Sequence, residues 1–202
     1  MNDTKERILF IALKFFLVKP YTEVTMREIL DASGLSKGGF YHHFESKEQL
    51  YKEVVDKYLM VSLIEEINIY HKNHTSLSFK EFGPAYLGNM LTIAYSSLKK
   101  VGLKVDEVNF YLIMFDMMKY YDGFIDIMNE MHDKEVHMLT SIIENAKTCG
   151  EIKKELDSLS LANHFHALMH GISVLTILDV NMENAFDRIN DLFNEFYKMI
   201  RT

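Results

Sequence analysis

The sequence predicts an all-α protein of about nine helices. Three observations carry this expectation. Apolar residues recur at helical spacing along most of the 202 residues, helix-capping signatures punctuate them, and only two prolines, Pro20 and Pro84, interrupt them. Hydrophobic residues make up 48% of the chain, enough for a sizeable core. Short β-branched pieces such as Gly171 to Leu178 are ambiguous alone, but their neighbours read as helix.

Ile8, Ile11, Ala12, Phe15 and Phe16 form an apolar stripe, so helix 1 runs from about Lys5 to Val18 and stops at Lys19-Pro20. Thr25 and Glu28 make a capping box that opens helix 2, and Gly34 ends it after two turns. Ser36 caps a short helix 3 through about His43. Ser46 and Gln49 make a second capping box, opening a long helix 4 that reaches about Tyr70. The polar stretch His71 to Ser78 is a loop, and Ser78 with Glu81 caps helix 5, near whose start Pro84 kinks or restarts the chain. Helix 6 spans about Asp106 to Lys119, helix 7 about Tyr121 to Thr148, helix 8 from Asp157 or Ser158 to about Asp179, and helix 9 from Asn181 onward.

The net charge of −7 argues at first against a nucleic-acid partner. Its distribution softens that objection: residues 1–60 hold nine Lys/Arg and nine Asp/Glu, so the excess negative charge lies beyond them. A neutral head can hold DNA if a few cations face the phosphates, with an affinity that depends on salt. The lone Cys149 excludes an intrachain disulfide and fits a reducing compartment. Asp3 and Glu6 are unlike a secretory leader, and the most apolar segments, Phe110–Phe115 and Ile172–Leu178, are too short to span a bilayer. The expectation is a cytoplasmic protein with no membrane partner.

The informative segment is Thr25 to Phe44, TMREILDASGLSKGGFYHHF. Two short helices flanking a tight turn at Ala32-Ser33-Gly34-Leu35 form a helix-turn-helix pattern. Ile29, Ala32, Leu35, Phe40 and Phe44 are placed to pack under helix 1 and the start of helix 4. On the outward side of helix 3, Lys37 supplies a cation, Gly38 and Gly39 let the backbone approach closely, and Tyr41 and His42 can donate to phosphates or base edges. Thr25 and Lys47 begin the flanking helices, whose amides also favour phosphate. Two glycines in so short a helix cost about 1 kcal/mol each in propensity, and close approach to a partner explains that cost.

From about Arg7 to Tyr58 the chain resembles the DNA-binding domain of the TetR (tetracycline repressor) family. Ala12 and Phe15, T-M-R-E-I-L, and above all G-L-S-K-G-G-F-Y-H-H-F-E-S-K-E-Q-L carry the resemblance. Lys19-Pro20 departs from it, since members usually have a glycine near that turn. The resemblance implies a ligand-responsive regulator, a repressor by family default. Such a protein binds a palindromic operator in double-stranded DNA as a homodimer and is released by a small-molecule inducer. It also implies that Lys37, Gly38, Tyr41 and His42 face DNA, with Thr25, Ser36 and Lys47 on phosphates. The expected organisation is a helix-turn-helix DNA-binding domain over 1–47, with helix 4 continuing as a connector to about 70. A ligand-binding and dimerisation domain follows over 48–202.

Helices 8 and 9 look too apolar for a monomer surface. Phe165, Met169, Ile172 and Leu175, with Ile189, Phe193 and Phe196, are the expected dimer interface. The resemblance places the ligand pocket among helices 5, 6 and 7. Tyr86, Met90, Phe110, Met114, Asp116, Tyr121, Phe124 and Met128 are its candidate lining, and Met-rich aromatic walls suit an apolar or amphipathic inducer. Asp116, inside a helix apolar on nearly every side, needs a partner if buried: Lys119, Tyr120 or a cationic ligand. Exposure on a narrow polar face is the alternative.

His132 and His137 fall on helix 7, and His164, His166 and His170 on helix 8. His166 and His170, four apart, share a face and could grip a metal. No H-E-x-x-H, phosphate loop, G-x-S-x-G or nucleophile-base pair accompanies them. Satisfied core or interface histidines are therefore the favoured reading, with no catalytic residue, metal or cofactor assigned. A metal-dependent hydrolase or a metal-sensing regulator built on these histidines is the alternative.

Overall fold

The computed structural model describes residues 2–60, 77–86, 88, 101–104, 108, 110–177 and 182–202, with the backbone alone at 2, 3, 110, 173–177 and 182–185. The described residues are helical and contain no strand; one isolated bridge pairs Ile152 with Arg201. In chain order the helices are α1 (Asn2–Val18), α2 (Met26–Ser33), α3 (Lys37–Tyr41), α4 (Lys47–Val54), α5 (79–86), α6 (Phe110–Tyr120), α7 (Phe124–Thr148), α8 (Ser158–Ile177) and α9 (Met182–Ile200). Helix α4 widens without a break into a π-helical turn, Val55–Met60. The remainder of the expected connector to residue 70, and most of the 71–78 loop, lie outside the described residues. No described helix is long and apolar enough to cross a membrane.

The chain divides into two compact units. The first comprises Met1–Glu65 with Ser96–Ile125, and the second Glu66–Tyr95 with Asp126–Thr202. The boundary expected at residue 47 is therefore revised, for two reasons. Leu50, Tyr51 and Val54 of α4 are buried in the same core as Ile8, Ala12 and Phe16 of α1, so α4 belongs to the head. The segment carrying α6 rejoins that head: Tyr120 packs on Tyr21 with ring centroids 4.5 Å apart, and Asp116 accepts a hydrogen bond from the Tyr21 backbone N–H at 2.7 Å.

The second unit is built around a cluster of large apolar side chains. Phe79, Phe82 and Tyr86 of α5 meet Leu139 and Ile143 of α7, Phe165 and Met169 of α8, and Ile189 and Phe193 of α9. Gly83 faces this cluster, where a Cβ would stand 1.9 Å from the Phe193 ring; only glycine lets α5 come this close. Helix α5 is anchored at its start twice. The Ser78–Glu81 box caps it locally, and the Glu151 carboxylate accepts from the N–H groups of Phe79 at 3.0 Å and Lys80 at 2.8 Å.

This packing corrects the expectation that the apolar stripes of helices 8 and 9 form the dimer interface. Phe165, Met169, Ile172, Ile189 and Phe193 are all buried inside a single chain, and half-buried Phe196 stacks on Phe165 at 5.8 Å. The side chain of Leu175 lies outside the described residues. An apolar stripe needs a cover, and α5 and α7 of the same chain supply it.

Candidate nucleic-acid interface

Helices α2 and α3 are set at their angle by local chemistry. The Thr25 hydroxyl accepts from the Glu28 N–H, the Glu28 carboxylate accepts from the Thr25 N–H at 2.8 Å, and Lys19 donates to the same carboxylate at 2.5 Å. That ion pair occupies the turn where Lys19-Pro20 departs from the family pattern. Lys19 and the capping Thr25 together hold the Glu28 carboxyl down to about 2. Gly34 ends α2 in the left-handed region at φ 67°, where a side chain would be strained. Ser36 then caps α3, its hydroxyl accepting from the Gly39 N–H at 3.1 Å.

Beneath this turn Ile29, Phe40 and Phe44 are buried, as their spacing predicts. Ala32 is exposed and Leu35 half-buried, which differs from the expected core. Ser33 occupies the inward position instead and donates its hydroxyl to the Leu30 carbonyl. Small size and a local acceptor let a serine face inward without an unpaired hydroxyl.

The outward face of α3 carries the predicted residues. Lys37, Gly38, Tyr41 and His42 are exposed, and Thr25 and Ser36 are exposed beside them. The Lys37 ammonium lies 5.9 Å from the centre of the Tyr41 ring, one turn along the same face. Gly39 is half-buried and turns toward its own cap: a Cβ there would meet the Ser36 hydroxyl at 3.4 Å. A Cβ at Gly38 meets nothing within 4 Å among the described residues, outside its own helix backbone, so no packing contact there requires a glycine.

Lys47 is corrected. Its ammonium turns inward, donating to the Val24 carbonyl at 2.7 Å and sitting 4.2 Å from the Tyr21 ring centre. Burial lowers its pKa below the usual lysine value, against the opposing pull of Glu48 and Asp116. Lys47 thus ties the start of α4 to the end of the α1–α2 turn, and its charge is spent within the head.

The expected ligand lining is divided between the two units. Asp116 is corrected: half-buried, it accepts from the Tyr21 N–H rather than waiting for a cationic ligand, Lys119 or Tyr120. Met114 is exposed on α6 beside Phe115 and Met118. The Tyr121 hydroxyl donates to Asp56, and Phe124 is buried at the start of α7. In the second unit Tyr86 is buried with its hydroxyl on Glu135, and Met128 is half-buried. Met90 and the side chain of Phe110 lie outside the described residues.

Sequence reasoning missed Glu135. It places a carboxylate on α7 against the α8 histidines, with Oε2 3.0 Å from His166 Nε2. Its position three residues after His132 on one helix face was the available signal.

Residues 8–54 match the family model described as bacterial regulatory proteins, tetR family. The chain is 39% identical over 69 residues to YerO, an uncharacterized HTH-type transcriptional regulator of Bacillus subtilis, covering 34% of this chain and 24% of that protein. It is 38% identical over 54 residues to the HTH-type transcriptional regulator QacR of Staphylococcus aureus, covering 27% and 29%. The aligned part thus spans less than a third of these curated relatives' own length. Solved structures resemble the whole chain in fold. One is a Saccharomonospora viridis protein assigned as a transcriptional regulator and solved in complex with choline (16% identity, full coverage of both chains, TM-score 0.64). Another is NalD of Pseudomonas aeruginosa, the secondary repressor of an efflux pump (14% identity, 99% and 96% coverage, TM-score 0.62).

Proposed function

We propose that this chain, whose residues 8–54 match the family model of bacterial regulatory proteins, tetR family, is a ligand-responsive transcriptional repressor of that family. In this reading it binds a palindromic operator as a homodimer and leaves it when a small molecule binds the helical body. The observation that carries the reading is the outward face of α3. Lys37, Gly38, Tyr41 and His42 are exposed there, and no contact among the described residues explains the glycine at position 38.

The two copies of α3 in a dimer, about 34–36 Å apart, meet successive major grooves on one face of DNA. A ligand that favours a different separation lowers operator affinity by the difference in its own affinity for the two states. An apolar or amphipathic inducer suits the Met- and Phe-rich composition of the body, and one neighbour of this fold was solved with choline. The curated relatives named above are described as regulators, so the hydrolase alternative is not carried forward.

The test is fluorescence anisotropy of the purified protein on DNA from its own upstream region, across a salt series. Tight binding that weakens steeply with salt, and that Lys37→Ala with Tyr41→Ala abolishes, is the expected result. Binding that survives both substitutions rejects α3 as the reading helix.

A further inference from the structure

The second unit contains a convergence of metal-binding groups that the DNA-binding reading does not use. His166 Nε2 lies 3.0 Å from Glu135 Oε2, 3.1 Å from His170 Nε2 and 3.4 Å from His132 Nδ1. The nearest ligand atoms of Glu135, His166 and His170 all fall within 4.8 Å of one another. Glu135 and His166 are buried, and His132 and His170 are exposed.

Hydrogen bonding alone does not satisfy this arrangement. An imidazole nitrogen carries either one hydrogen or one lone pair in the ring plane, never both. If His166 Nε2 donates to the carboxylate, it has nothing left with which to accept from His170 or His132. If it accepts from one of them, it faces Glu135 lone pair to lone pair. A cation among the Glu135, His166 and His170 atoms lets every one of them present a lone pair. The two separations from His166, 3.0 and 3.1 Å, agree, because donors bound at about 2.0–2.1 Å in a tetrahedral site stand about 3.3 Å apart.

The surroundings fit the same purpose. The Tyr86 hydroxyl donates to Oε1, the carboxylate oxygen that does not face His166, and so fixes the orientation of Glu135. His164, on the same helix, turns away, with Nδ1 2.6 Å from the Ser160 carbonyl.

The geometry points to a binding site for a divalent transition-metal ion of the zinc class, formed by Glu135, His166 and His170. Mixed imidazole and carboxylate donors suit such ions. Exposed His170 opens the site to solvent, so the ion can exchange.

The test uses the full-length, tag-free protein after chelator dialysis, titrated with Zn2+ against a chromogenic chelator, with no DNA present. Its outcome is therefore independent of whether the protein proves to be a repressor. One zinc per chain is expected, and bound zinc should raise the thermal midpoint. His170→Ala, at an exposed position, should weaken binding at least tenfold and abolish the thermal shift, while His164→Ala leaves both unchanged. Absence of stoichiometric uptake, or uptake lost in Cys149→Ser but retained in His170→Ala, would overturn the assignment.

Discussion

A methyl group added at Gly38 meets no side chain among the described residues within 4 Å, and alanine is the better helix former by about 1 kcal/mol. Gly38→Ala should therefore raise the stability of the free protein by up to about 1 kcal/mol in a denaturant melt while lowering its affinity for operator DNA. A stabilised variant with undiminished affinity would show that close approach is not what the glycine serves. Asp116 presents the opposite case, a residue whose work is internal. Removing its carboxylate in Asp116→Ala strands the N–H of buried Tyr21, at a cost of about 1–3 kcal/mol in urea unfolding. Unchanged stability would mean that water replaces the carboxylate there.

At the scale of the element, the cap of α2 carries a pH dependence. The Glu28 carboxyl is held down to about 2 from an ordinary 4.5, first by the Lys19 hydrogen bond and then by the N–H and hydroxyl of Thr25. A depressed carboxylate contributes stability above its unfolded value and loses it as the pH falls toward the folded one. The wild type should thus exceed Glu28→Gln in stability at neutral pH, and the difference should disappear between about pH 4.5 and pH 2. A gap that persists at pH 2 would point to shape rather than charge. The caps at Thr25, Ser36, Ser46 and Ser78 were legible in the sequence because each is closed by a residue three positions on. Lys47 and Asp116 were not, because their partners stand 23 and 95 residues away. The stripes on α8 and α9 were legible as buried, yet helical periodicity does not say whether the cover comes from the same chain or another. For the histidines, spacing showed that His166 and His170 share a face, but the carboxylate that joins them comes from α7, 31 residues earlier.

Over the whole molecule, the chain enters the first unit twice, as Met1–Glu65 and again as Ser96–Ile125, and the second of these divisions falls inside α7. Such a path bears on how DNA specificity can be inherited. A recombination crossover at residue 47 would deliver a reading head without the α4 and α6 surfaces that complete it, leaving the Tyr21 N–H and ring to face a stranger's helix. Chimeras exchanging 1–47 alone should melt at lower temperature than chimeras exchanging 1–65 together with 96–125. In a lineage built this way, and with the function proposed above, new operator preferences would arise more readily by point changes at Lys37, Tyr41 and His42 than by swapping the head as a cassette.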